Sequence, residues 1–391
     1  MAKSVVCLNM IVKNEEAVIL RCLKSVKHLV DRWVICDTGS TDRTKEIIQD
    51  FMKDKPGKLM EEPWKNFCYN RNIPLNGMYD DENFKDVTHV LIIDADEELK
   101  VPEGWNWPEM NPNTDGYHIT SRSGTLVYQR SSMVNVAKHR WHWEGVVHEY
   151  LNTKAGTHME YLDPNIHIYC HPEGARHKDP LKFVRDAKTL EQDLIDNPDD
   201  PMRSRTLFYT AQSWRDAGVP ELGVKYYKKF LEIAKWDEEI FMAKLSIARL
   251  MQVLEYPPEQ ISWAYLEAHK SRPSRIEALV DLGKWHRFRG ECNIGYTYLK
   301  EVENTPVTKD ILFVEMPTYL WAKYDELSIA AYWSGRKPEC AELCKKMLGE
   351  GFLPENQIPR IKKNLNYALD LPQEEKKEKK EKNENGATFI F

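Results

Sequence analysis

LIIDADEEL, residues 91–99, decides how this chain folds. Four apolar residues, Val90 to Ile93, run into Asp94, Ala95, Asp96, Glu97 and Glu98. A continuous apolar run of this kind is the pattern of a strand buried on both faces of a sheet. Four carboxylates at its end need a purpose. Asp94 and Asp96 are two residues apart, so on a straight strand they would point the same way. Paired carboxylates can hold a hard divalent ion, and such ions prefer to bridge phosphates. Acids at the start of a helix, favoured by its dipole, would give the same pattern. Spacing alone leaves both readings open.

The sequence around this stretch sets the architecture. SVVCLNMIV is a second continuous apolar run. The helix expected after it, NEEAVILRCLKSVKHLV, has Ile19, Cys22, Leu23, Val26 and Val30 at helical spacing, with two acids in its first turn. RWVICDTGST predicts a short strand ending in a polar loop, and DRTKEIIQDFM a helix with Ile47, Ile48 and Phe51 on one face. Strand, helix, strand, helix, strand implies right-handed crossovers and a mainly parallel sheet. Ligands bind such sheets beyond the C-terminal strand ends, where CDTGSTD and DADEE both lie. Residues 116–140 predict hairpins around a Ser-Gly turn, and RWHWEGVVHEYL is dense in aromatic, His and Glu residues. From about 180 to 370 the apolar period is that of helices, in repeated helix–turn–helix units such as FYTAQSWRDAGVPELGVKYYKKFLEIA and DELSIAAYWSGRKPECAELCKKML. These resemble degenerate tetratricopeptide hairpins, which stack and offer a concave surface to a partner.

The expected domains are 1–175, an α/β sheet domain; 176–370, an all-α helical-hairpin domain; and 371–391, a charged tail. The tail, rich in Lys and Glu until TFIF, cannot bury a core, so deleting 373–391 should leave stability unchanged. TFIF is either a docking peptide or a frayed end. A chain of 391 residues with 42% hydrophobic content can fill two or three cores, and a net charge of −6 argues against a nucleic-acid binder. The 8 cysteines include no CxxC pair and read as reduced thiols, with Cys340 and Cys344 packed in a core. No signal peptide and no transmembrane run is visible, which points to a cytoplasmic protein.

NMIVKNEE, VICDTGSTDRT, FCYNRN and LIIDADEEL occur in that order. Together they resemble family 2 nucleotide-sugar transferases of the glycosyltransferase A-fold (GT-A), over residues 4 to 175 or so. The whole chain is similar in architecture to the subgroup in which tetratricopeptide-like helices follow, which includes bacterial peptide S-glycosyltransferases. The resemblance implies a metal-dependent, inverting transfer of a sugar from a UDP-sugar, with Mn2+ or Mg2+, to a protein, peptide or glycan acceptor. The helical domain could also support a homo-oligomer.

It also implies roles. Asp37 corresponds to the acid that reads the base or ribose, although relatives often carry a second acid where this chain has Thr38. Asn14, Glu15, Gly39, Ser40 and Ala95 would lie near the nucleotide, and Arg71 near the base or diphosphate. Asp94 would reach the sugar and ribose, and Asp96 the metal, with Asp94 beside it. A third metal ligand is expected from NIHIYCHPEG, His171 ahead of His167. An inverting transfer needs one base, and Glu149 and Glu144 both qualify, with His148 nearby. If WHWEGVVHEYL is one strand, Glu144 and His148 share a face and Glu149 takes the other. Trp141 and Trp143 offer a platform for a sugar ring, and Gly145 close approach to the backbone. Two other classes compete. A sugar nucleotidyltransferase would place a Gly-rich loop after the first strand, where this chain has none. A binding scaffold with a dead transferase domain would not need Asp37, Asp94 and Asp96 together.

Overall fold

The computed structural model describes residues 4–124, 126–153 and 157–371. The charged tail lies outside the described residues, apart from Leu371. The chain divides into two compact units, one drawn from Met1–Ala278 and Pro306–Pro317, the other from Leu279–Thr305 and Thr318–Phe391.

The first unit opens as the apolar runs predict. Strand β1 (Val6–Val12) lies parallel to β2 (Arg32–Asp37), and β2 parallel to β3 (Gly57–Glu61). Helices α1 (Ile19–Val26), α2 (Thr44–Met52) and α3 (Phe67–Tyr79) make the crossovers to β4 (His89–Ile92), which pairs parallel with the other side of β1. The alternation of side chains along β1 explains its unbroken hydrophobicity. Leu8, Met10 and Val12 face one core with Ile19, Cys22 and Leu23 of α1 and Ile48 of α2. Cys7 faces the other, with Val34, Val90, and Leu75 and Met78 of α3. Helix α1 starts later than its acids suggested. Asn14 takes a left-handed backbone (φ 56°), so Glu15 and Glu16 lie in the turn before the helix.

The acid-bearing stretch is not one strand. It leaves β4 at Ile92, turns through 93–96 and re-enters the sheet as β5 (Glu97–Lys100). The Glu97 N–H donates to the Asp94 carbonyl (3.0 Å), and the Glu97 carboxylate accepts the Asp94 N–H (2.9 Å). Asp94 and Asp96 therefore sit on a turn that Glu97 closes, and strand parity does not set their directions.

The predicted hairpin forms from β6 (Gly116–Ser123) and β7 (Leu126–Asn135). A second, small sheet follows, β8 (His142–Glu144) paired with β9 (Tyr150–Asn152). WHWEGVVHEYL is thus a hairpin and not a single strand. Gly145 (φ 90°) and His148 (φ 56°) turn it, so the expected sharing of faces does not apply. Then come β10 (Met159–Tyr161) and β11 (His167–Cys170), giving the sheet order β3-β2-β1-β4-β7-β6-β11-β5, with β10 on β6.

Helices α4 (Lys182–Asp196), α5 (Arg203–Asp216), α6 (Pro220–Leu231), α7 (Asp237–Val253) and α8 (Pro258–Ser271) pack as successive neighbours in this unit. Phe208 of α5 meets Tyr227 and Phe230 of α6 edge-on, so the α5–α6 pair is closed by aromatic contacts. Residues Pro306–Pro317 return to the first unit, and their strand β12 (Val314–Glu315) pairs antiparallel with Leu126 and Val127 of β7. The return is fixed by buried charge. Fully buried Arg275 pairs with Glu277 (2.9 Å) and Asp310 (3.5 Å) and donates to the Leu312 and Phe313 carbonyls. Arg272 grips the Asp310 carboxylate with two nitrogens, at 2.5 Å each. The second unit takes most of α9 (Glu277–Phe288), then α10 (Cys292–Glu301), α11 (Lys323–Trp333), α12 (Lys337–Gly349) and α13 (Ile358–Ala368). Cys340 and Cys344 are buried in α12, as core packing requires.

Candidate active site

The C-terminal ends of β1, β2 and β4 lie side by side, because Val12 is in register with Asp37 and Asn9 with Ile92. Their loops form the site. At the end of β2, one Asp37 carboxylate oxygen accepts the N–H groups of Gly39 (2.9 Å) and Ser40 (2.8 Å). Its other oxygen is buried without a hydrogen-bond partner among the described residues. Thr38 is buried and donates to the Val12 carbonyl. Asn14 and Ser40 are engaged with one another's loops: the Asn14 N–H donates to Ser40 Oγ (2.8 Å), and Asn14 Oδ1 accepts the Thr41 N–H (2.8 Å). Those two side chains brace the loops that would flank a nucleotide.

Each of the four carboxylates at the end of β4 now has its own environment. Glu97 is buried and gripped by Arg130 of β7 at 2.8 and 2.5 Å. Glu98 bonds Lys100 (2.6 Å) and His171 Nε2 (3.1 Å). Asp94 pairs with Arg71 (2.8 Å), with Arg130 3.9 Å away. Burial opposes its charge, but the two arginines outweigh burial and hold its carboxyl below the ordinary range. Asp96 has no Lys or Arg within ion-pair distance among the described residues. The ring of His177 lies beside it, Nε2 at 3.6 Å, with burial, Lys182 and Arg176 holding that imidazole below its ordinary range. Burial and then the charges of Asp94 and Glu97 push its carboxyl up to about 6. Glu15 is pushed up to about 7, first by burial and then by Asp96, Asp42 and Asp94, although its oxygens accept the Ala175 N–H. Ala95 points into the core, so only its backbone faces the loops.

A divalent cation fits this arrangement. Asp96 and Glu15 are carboxylates that their surroundings penalise for being charged, and a cation removes that penalty. Among the described residues no three His, Cys, Asp or Glu side chains converge tightly enough to hold an ion alone. Phosphate oxygens and water would have to complete the shell, which is the habit of Mg2+. The His171 ring is turned to Glu98, and only its backbone N–H reaches Asp96, at the carbonyl (3.2 Å). His167 lies on β11 with its ring near the Asn165 carbonyl. His177, which the sequence did not single out, is the histidine beside Asp96. Gly174 makes room: a Cβ there would stand 2.4 Å from Asp96 Oδ2.

The β8–β9 hairpin brings the second half of the site. The two candidate bases part here. Glu144 is consumed within the hairpin, accepting from Tyr150 OH, His142 Nε2 (2.7 Å) and Asn152 Nδ2 (3.1 Å). The Tyr150 hydrogen bond, more than any other effect, holds its carboxyl below the ordinary range. Glu149, half-buried, instead meets Arg71 at 2.5 Å. Arg71 thereby joins Glu149 to Asp94, and its guanidinium lies 5.0 Å from the centre of the Trp143 ring. Trp143 remains at the site, half-buried. Trp141 does not: its indole is buried in the second core and donates to the Asn135 carbonyl, so it has no face to offer a sugar. His148 is exposed as a residue, but its ring lies stacked on Tyr209 of α5. That cover, with Arg205 and Arg176 nearby, pushes the imidazole down to about 3, so it is neutral at physiological pH and no proton acceptor of consequence.

Residues 7–102 match the sequence model of glycosyl transferase family 2. An uncharacterized glycosyltransferase of Rickettsia typhi is 36% identical over 89 residues, 23% of this chain and 27% of that protein. A TPR repeat-containing protein of Synechococcus elongatus is 26% identical over 326 residues, 75% of this chain and 74% of that protein. Among solved structures, a tetratricopeptide repeat protein from Parabacteroides merdae aligns with 48% of this chain and 68% of its own, at 14% identity and TM-score 0.37. No described helix is long and apolar enough to cross a membrane. The chain therefore carries a family 2 glycosyltransferase domain of mixed GT-A-like sheet at its N-terminus and continues into tetratricopeptide-like helical hairpins.

Proposed function

We propose that this chain is a metal-dependent, inverting glycosyltransferase that moves a hexose from a UDP-sugar to a protein, peptide or glycan acceptor, with the transferase domain over 1–175 and the helical domain over 176–370. The observation that carries this reading is Arg71, ion-paired at once to Asp94 and Glu149. It joins the acid turn after β4 to the β8–β9 hairpin. A donor on the acid turn would thus present its anomeric carbon towards Glu149.

Each group then has a task. Asp37, with one oxygen unused, accepts a hydrogen bond from the base or ribose. Asp94 accepts from sugar or ribose hydroxyls. Arg71, buried and planar, is placed for the diphosphate, which would compete with the two carboxylates for its donors. Asp96 would hold Mn2+ or Mg2+, with His177 at its side, and the ion would neutralise the departing diphosphate. Glu149 takes the acceptor's proton as the acceptor atom bonds to the anomeric carbon. The bond from that carbon to the phosphate oxygen breaks, and the nucleoside diphosphate leaves with the electron pair. The Trp143 ring beside Arg71 gives the sugar or acceptor an apolar wall.

A thermal-shift titration with UDP and UDP-glucose, with and without Mn2+, tests the donor half. Ligands that bind only the native state raise its melting temperature. A shift with UDP that needs Mn2+ is expected. Shifts with GDP or CDP alone would overturn the base assignment, and no shift with any nucleotide would overturn the transferase reading.

A further inference from the structure

We infer that Arg205 and Tyr209 of α5 are positioning residues for Glu149, so that the first helical hairpin completes the transfer site instead of serving only as an appended binding module. This rests on the reading of Glu149 as the base. Glu149 is held at its carboxylate by Arg71, but its backbone follows a strained residue. His148 is a non-glycine at φ 56°, a conformation that persists only where the surroundings over-determine it. The sheet domain offers little to do so, because β8 and β9 are three residues each and the chain between them turns without strand pairing. The constraint comes from α5. Arg205 donates to the His148 carbonyl from Nη2 (3.0 Å) and Nε (3.3 Å). The His148 ring stacks on Tyr209 with centroids 4.1 Å apart and planes 15° from parallel. The Arg205 guanidinium also lies over the rings of Tyr150 (5.5 Å) and Tyr209 (4.7 Å). Both chain neighbours of Glu149 are thus gripped by one arginine of the helical region. Tyr209 is itself buried, wedged edge-on against Phe208, so it is a fixed surface for the imidazole.

The test uses the full chain and four variants: Arg205→Gln, Tyr209→Ala, Tyr209→Phe and Glu149→Gln. Deuterium exchange across 145–152 reads the hairpin directly. UDP release from UDP-glucose with Mn2+, water accepting the sugar, reads the chemistry. Faster exchange is expected in Arg205→Gln and Tyr209→Ala, with Tyr209→Phe, which keeps the ring, behaving as the native chain. The same two variants should release UDP about 10²-fold more slowly, the cost of misplacing a reacting group by about 1 Å, with KM for UDP-glucose unchanged. Unchanged exchange in both would overturn the inference. So would unchanged release in both when Glu149→Gln has lost it. Retained release in Glu149→Gln fails the base reading itself, a separate result from either. Should the native chain release no UDP from this donor, the exchange measurement decides alone.

Discussion

Asp96 is the carboxylate the cleft leaves without a strong countercharge, and that asymmetry has measurable consequences. Its carboxyl is raised to about 6, and that of Glu15 to about 7, by burial and by each other's neighbours. A proton and a cation therefore compete for this corner. Stabilisation by Mn2+ in the presence of UDP should be full at pH 8 and disappear by pH 5. A Mn2+-induced melting shift that is the same at both values would contradict it. Gly174→Ala sharpens the test, since its Cβ would press on Asp96 Oδ2 at 2.4 Å while the backbone (φ −59°) suits any residue. Metal affinity should weaken by about 10–100-fold, as for lost outer-shell support, with melting temperature unchanged in the absence of ligand. The placing of Asp37, Asp94 and Asp96 at neighbouring strand ends was legible in the sequence because strand-end loops of a parallel sheet must converge, whereas Arg71 comes from helix α3. His177 and Gly174 were not, since they reach the cleft through a loop beyond β11 whose path no periodicity encodes. Glu149 and Glu144 could be separated only once Tyr150, His142 and Asn152 were seen to close around Glu144.

At the scale of elements, the continuous apolar runs gave β1, β2 and β4 and both faces of the core. They also concealed a cost. His89 on β4 is 3% exposed, and its Nε2 has no partner among the described residues. Burial pushes its imidazole down to about 4. The unfolded chain takes up a proton near pH 6.5, the folded chain only near 4. Stability from this residue is therefore present above pH 6.5 and lost as the pH falls from 6.5 to 4, up to about 3 kcal/mol at 1.36 kcal/mol per unit. His89→Gln should flatten the urea-denaturation profile across that window relative to the native chain. Equal pH dependence in the two would show that His89 is not the group responsible. The elements least legible were the ones with irregular backbone. The sequence placed DADEE only at a strand end and left open whether WHWEGVVHEYL is one strand. In each, hydrogen bonds to a carboxylate or left-handed residues, which leave no hydrophobic signature, break the run.

At the scale of the whole chain, the helix–turn–helix rhythm was plain in the sequence, but the return of 306–317 to the first unit was not. Two-residue β12 carries no period, and the charges that fix it are scattered over Arg272, Arg275, Glu277 and Asp310. Arg275→Leu should cost about 3–5 kcal/mol, because it removes the buried cation paired with Glu277 and leaves Asp310 to Arg272 alone. Changing Arg275 and Glu277 together to apolar residues should recover part of that loss. A single variant as stable as the native chain in urea would mean that the buried network does not hold the return segment.

Strand β12 also imposes an order on synthesis. Val314 pairs with Val127, so the β7 edge opposite β6 at Leu126 and Val127 stays uncovered while about 190 further residues are made. At roughly 5–20 residues per second a ribosome needs about 10–40 s for that stretch, longer than most small domains take to fold. The nascent transferase domain must wait with an open edge, and a fragment ending near residue 175 would keep that edge for good. Such a fragment should self-associate through it, whereas chains that extend past residue 317 should emerge from the ribosome with the sheet sealed by their own later sequence.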